Sequence, residues 1–174
     1  MKMLRPAVVV DHHKLTANIS AMQAIADGAG VRLRPHAKTH KSIQIAQQQI
    51  TAGAVGLTVA KPSEALVFLE AGIPSIKICY PVIDPALMRP LLTVARDRKA
   101  EVIGAIDSTQ GLAALEHAAA EFGLVLPVHL EVDVGLERCG VMADSQALLD
   151  LAAQAIASPH LDLLGLTAHA GHAY

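Results

Sequence analysis

The chain has 174 residues, a formal net charge of −2, and a composition that is 52% hydrophobic but only 2% aromatic. That length fits one domain, and the balanced charge excludes a nucleic-acid surface or an acidic tail. No stretch approaches the roughly 20 apolar residues of a membrane span. The apolar run at 7–10 is too short for a signal peptide. Cys79 and Cys139 make no disulfide framework, so a reducing, cytoplasmic setting is expected.

Apolar runs at 7–10, 31–35, 54–60, 75–80, 101–107, 127–133 and 161–169 read as strands. Segments with helical spacing lie between them, at 13–29, 42–52, 63–71, 85–99, 108–122 and 145–157. Ser63, Ser108 and Asp144 are expected N-caps, and Gly30, Gly53, Gly72 and Gly123 stand where helices should stop. With so few aromatics, the core is built from Leu, Ile, Val and Ala, as in sheets buried by helices. The alternation of strand and helix predicts an α/β fold with a parallel sheet. The alternatives are a doubly wound sheet and a (β/α)8 barrel; no GxGxxG or GxxxxGK[ST] loop follows a strand, which weakens the nucleotide-binding version of the open sheet. A whole barrel takes about 250 residues, so about six of its eight strands are expected here.

In such folds the ligand site lies at the carboxyl ends of the strands. The octapeptide Arg34-Pro35-His36-Ala37-Lys38-Thr39-His40-Lys41 continues the strand that begins at Val31. Alternation then places Arg34, His36, Lys38 and His40 on one face, which calls for an anionic cofactor or substrate. Lys38 is the candidate nucleophile. Cationic neighbours and burial favour a neutral amine, which condenses with an aldehyde. A salt-bridged lysine on the barrel rim is the alternative, and Lys41 reads as a surface residue.

The pairs His36/His40 and His169/His172 invite a metal, but they sit at strand ends with no third ligand at a recognised offset. His129, Glu131 and Asp133 share a strand face. Beyond them, a turn with Gly135 and Gly140 brings Arg138 back over the strand ends. A guanidinium there forks onto a phenolate or a phosphate, or pairs structurally with Asp133 or Glu131. Cys139 reads as a packing residue. Asp107 is a strand-end carboxylate beside the expected cap Ser108.

These motifs resemble the pyridoxal-phosphate enzymes of the alanine-racemase fold, in the branch of D-threonine aldolase, D-serine dehydratase and D-3-hydroxyaspartate aldolase. The resemblance is carried by the octapeptide, by Tyr80-Pro81, by Glu131-Val132-Asp133-Val134-Gly135-Leu136 with Arg138-Cys139-Gly140, and by His169-Ala170-Gly171-His172-Ala173-Tyr174. Pro6 to Asp11 with Asn18, Ile19 and Met22 also fits.

The resemblance implies an alanine racemase N-terminal-type barrel that binds pyridoxal 5'-phosphate, with Lys38 as its Schiff-base lysine. It implies that His36 lies at the cofactor, that Arg138 contacts the cofactor's phenolic oxygen, that His169 packs beside its pyridine ring and that Tyr174 lies near cofactor or substrate. Residues 1–174 are then the N-terminal part of a lyase acting on a small β-hydroxy D-amino acid, with the C-terminal β domain absent. The run 7–10 precedes the barrel and pairs with that domain. Family aldolases and dehydratases also use a divalent metal held there, and family members often form homodimers. The alternatives are a racemase of the same fold, a non-catalytic carrier of pyridoxal phosphate, or an inactive truncated product.

Overall fold

The computed structural model describes residues 8–173. Six strands, all paired in parallel, form one sheet: β1 (Leu57–Val59), β2 (Ser75–Ile78), β3 (Glu101–Ile106), β4 (Leu126–Asp133), β5 (Val141–Met142) and β6 (Leu161–Ala168). The order runs β1-β2-β3-β4, with β6 beside β4 and the two-residue β5 at the carboxyl end of β4. The sheet is open, with β6 at one edge of the incomplete barrel. The helices are α1 (His12–Gly28), α2 (Ile43–Thr51), α3 (Pro62–Glu70), α4 (Arg89–Arg98), α5 (Thr109–Glu121) and α6 (Gln146–Ala157). Among the described residues no helix is long and apolar enough to cross a membrane.

The expected barrel strand at 31–35 is present only as a sheet edge. Val55 N donates to Leu33 O and Thr58 N to Pro35 O, and His36 forms an isolated parallel bridge to Thr58. Pro35 has no N–H to offer, which interrupts the ladder. Residues 8–10 form no strand and are exposed, while Ala7 and Tyr174 lie outside the described residues. The strand β5 was not expected.

Helix boundaries follow local chemistry. Ser108 caps α5 by accepting from Gly111 N, as expected. Two other caps differ from expectation. Ser145 rather than Asp144 caps α6, accepting from Leu148 N, and α3 starts with Pro62 in its first turn, so Ser63 lies inside the helix. Gly30, Gly53, Gly72 and Gly123 all have positive φ at helix ends.

β1, β2 and β4 have two unlike faces, whereas β3 is apolar on both. On β4, Leu126, Val128, Leu130 and Val132 are buried, as are Ile76 and Ile78 on β2. They pack with Leu69, Leu91, Leu115 and Leu151 of the helices into one core. The alternate positions, among them Thr58, Lys77, His129, Glu131 and Thr167, are polar and face the concave side of the sheet. The strand period therefore separates a dry helix side from a charged interior.

Candidate active site

The octapeptide does not continue as a strand to His40. Ala37, fully buried, donates its N–H to Thr58 O, and the chain then turns, with Lys41 N bonding back to Ala37 O. Lys41 takes a left-handed φ of 48°, and Ser42 caps α2. The turn leaves Lys38 on the rim of the concave face. It sends His40 to the other side, into a cleft with Leu33, Gln49 and residues of α1. His40 thus does not share a face with His36 and Lys38. Its Nδ1 accepts from Ser42 N, 3.1 Å away, which makes it a support for the turn. Lys41 is not merely solvated. Its amine pairs with Glu64 at 2.9 Å, and Glu64 also accepts from Ala60 N, which ties the turn to the start of α3.

A cavity of about 240 Å³ opens at the carboxyl ends of the strands. His36, Lys38, Cys79, Arg138 and His169 surround its mouth, and Arg34, Thr58, Lys77, Glu131 and Thr167 line it further. Four of the five sequence-nominated site residues therefore meet at one place; the fifth, Tyr174, lies outside the described residues.

The imidazole of His36 braces the lysine turn. Its Nδ1 accepts from Lys38 N at 3.2 Å, which leaves the neutral ring's proton on Nε2, 3.4 Å from Cys79 Sγ. Burial, and then the nearby Lys38 ammonium, pull the His36 pKa below the ordinary histidine value. Cys79 moves the other way, raised by burial, so it stays a thiol despite the cations around it. His169 is also lowered, by burial and then by Arg138 and Lys38. Lys38 itself is exposed, so the described residues do not supply the burial expected of it.

Deeper in the bowl the charges compensate one another. Arg34 Nη1 donates to Ser75 Oγ at 2.9 Å and to Ser75 O, and Arg34 Nη2 lies 3.7 Å from Glu101 Oε2. Ser75 Oγ donates in turn to Glu101. Arg34 is therefore satisfied by the protein and does not call for a ligand. Its guanidinium passes beside Gly56, where any Cβ would collide with Arg34 Nη1 and Ser75 O. Glu131 is buried (4% exposed), and burial raises its pKa while Lys77 and Arg138 oppose the rise. Lys77 is lowered by burial, with Glu131 opposing. His129 is pushed down to about 4 by burial and by the Lys77 and Arg34 charges.

Arg138 rides on a constructed loop. Asp133 Oδ1 accepts from Gly135 N at 2.9 Å and Glu137 N at 3.1 Å, and Asp107 Oδ2 accepts from Gly140 N at 3.3 Å. Asp133 is thus spent on backbone amides rather than on Arg138, and Asp107 anchors the loop. Gly140 has φ 105° and presses against the end of β4, where a Cβ would lie 2.6 Å from Asp133 N. The Arg138 guanidinium stands 5.9 Å from the centroid of the Tyr80 ring.

The sequence reading missed Lys77, Cys79 and Thr167. Lys77 could have been found as a lone charge in an apolar strand, and Thr167 by its two-residue spacing from His169.

Residues 10–174 match the family described as Alanine racemase, N-terminal domain. The D-threonine aldolase of Arthrobacter sp is 42% identical over 166 residues, which cover 95% of this chain and 43% of that protein. The D-threo-3-hydroxyaspartate dehydratase of Delftia sp. (strain HT23) is 36% identical over 169 residues, 97% of this chain and 44% of the other. The crystal structure of D-threonine aldolase from Filomicrobium marinum superposes with a TM-score of 0.87 at 32% identity, covering 94% of this chain and 43% of that one. The chain thus spans less than half the length of the curated relatives it matches. With the match running through nearly every described residue, this chain belongs to the alanine racemase N-terminal domain family.

Proposed function

We propose that the chain is the N-terminal part of a pyridoxal-phosphate-dependent lyase acting on β-hydroxy D-amino acids, of the D-threonine aldolase or D-serine dehydratase type. The observation that carries this reading is the meeting of Lys38, His36, Arg138 and His169 around one cavity at the carboxyl ends of parallel strands.

The donor set fits the cofactor. An aldehyde needs an accessible amine, and Lys38 stands exposed on the rim. An anionic ring oxygen needs a cation, and among the described residues no carboxylate pairs with Arg138. A planar ring needs a flat, uncharged neighbour, and the His169 imidazole is held below its ordinary pKa. In this reading Lys38 Nζ would hold the cofactor, Arg138 would donate to its phenolic oxygen, and His169 would lie against its pyridine ring. His36 would keep Lys38 on the rim through the Nδ1 bond to the Lys38 amide. Tyr174 would lie near cofactor or substrate. When bound, pyridoxal 5'-phosphate supplies an electron sink for a bond broken at or next to Cα of an amino acid. Among the described residues no cluster of three His, Cys, Asp or Glu is placed to hold a metal ion.

The test is direct. The protein is mixed with pyridoxal 5'-phosphate, reduced with borohydride, digested and mapped. Label at Lys38 is expected. Label confined to Lys41, Lys61 or Lys77 would overturn the assignment, as would a Lys38→Ala variant that keeps the wild-type visible absorption band. Incubation with D-threonine, D-serine and D-alanine separates the chemistries. Glycine with acetaldehyde marks an aldolase, pyruvate with ammonia a dehydratase, and L-alanine a racemase.

A further inference from the structure

Tyr80 stands two residues beyond the end of β2, after Cys79, and Pro81 behind it limits how the chain leaves the strand. The tyrosine is 49% exposed, so core packing does not account for an aromatic residue in a chain with so few. Its ring meets the Arg138 guanidinium at 5.9 Å, from a different element of the fold.

The bonds from Asp133 and Asp107 fix the backbone of the Arg138 loop, but they do not reach the guanidinium, which meets the side chain of its chain neighbour Cys139. A thiol is a weak hydrogen-bond partner, and a long arginine side chain samples many rotamers. The face of an aromatic ring attracts a cation and leaves its N–H groups free at the edges to donate elsewhere.

We infer that Tyr80 is a positioning residue for Arg138: its ring holds the guanidinium at the mouth of the cavity, so that an anionic ligand meets a donor already in place. The inference rests on the proposed function for the identity of that ligand, and pyridoxal 5'-phosphate is the probe. Because the attraction is to the ring face, the phenol hydroxyl is dispensable and the aromatic ring is not.

Affinity for pyridoxal 5'-phosphate is read from the visible absorption band in the full chain. Tyr80→Leu is expected to weaken binding about two- to fivefold, the size of an exposed cation–π contact. Tyr80→Phe should restore the wild-type affinity. In an Arg138→Ala background, Tyr80→Leu should change nothing further, because the group it positions is gone. Without cofactor, Tyr80→Leu should also shift the Arg138 Nε–H resonance, and Tyr80→Gln provides the same comparison if the leucine variant misfolds. A phenylalanine variant as weak as leucine, or an equal leucine effect with and without Arg138, would overturn the inference. So would unchanged affinity in Tyr80→Leu, and each of these would leave the proposed function standing. A wild-type chain that takes up no pyridoxal 5'-phosphate would overturn the proposed function, and the inference with it.

Discussion

Lys77 Nζ donates to Thr167 Oγ1 across 2.6 Å, joining β2 to β6 over the two strands between them. Thr167 is the register partner of Glu131, so the ammonium, the hydroxyl and the buried carboxylate form one polar floor beneath the cavity. Lys77→Met should lower unfolding stability by about 1–3 kcal/mol, because buried Glu131 loses one of the two cations that offset its burial. Urea unfolding measures this. The loss should shrink in a Glu131→Gln background, where no carboxylate is left stranded.

His129 predicts an acid limb in stability. Its folded pKa is about 4, below the ordinary 6.5. As pH falls through 6.5 the unfolded chain takes up the proton first, so the folded state loses stability down to about 4, and the loss is complete below that. A His129→Asn variant should show a shallower decline over this window. Thermal melts of the two proteins across the same buffers make the comparison; parallel curves would place the titration elsewhere.

Gly140→Ala should damage the Arg138 loop without touching Arg138. The new methyl would meet Val132 C at 2.8 Å and Asp133 N at 2.6 Å, in a backbone with φ 105°. A cost of about 1–3 kcal/mol is expected for that strain. A lower melting temperature together with weaker uptake of pyridoxal 5'-phosphate would be the signature. The same substitution at Gly28, where nothing lies within 4 Å of the added carbon, is the control.

The outer face of β6 is uncovered towards its carboxyl end. Leu166, the register partner of buried Leu130, is 64% exposed, and Leu164, at the register shift, 47%. An edge strand with exposed leucines invites pairing with other chains. Leu166→Lys should raise the concentration at which the protein stays monodisperse and reduce binding of a hydrophobic dye. Light scattering and dye fluorescence report the two effects.

Much of the fold was legible because the sequence punctuates it. Gly30, Gly53, Gly72 and Gly123 ended helices as their flexibility suggests, and Ser108 capped the helix it precedes. The charged face of β4 followed from alternation, with His129 and Glu131 between buried Val128, Leu130 and Val132. The lysine turn was not legible. Nothing in Ala37-Lys38-Thr39-His40 carries the glycine or proline that usually marks a reversal, so alternation was carried through to His40. What ends the strand is tertiary: a fully buried Ala37 bonded to Thr58. The neutralisation of Arg34 was hidden for the same reason, since Ser75 and Glu101 lie far along the chain.

The bridge between His36 and Thr58 gives the lysine turn an unusual thermodynamic standing. Three backbone bonds, from Val55, Thr58 and Ala37, fasten that edge, whereas β4 and β6 are zipped along most of their length. The segment bearing Lys38 is therefore the part of the sheet expected to open first, as a small cooperative unit of its own. A ligand captured at Lys38 would be felt there as added free energy of closing. The amides of Ala37 and Thr58 would become slow to exchange with deuterium, an occupancy gauge written into the backbone rather than into any spectrum of the ligand.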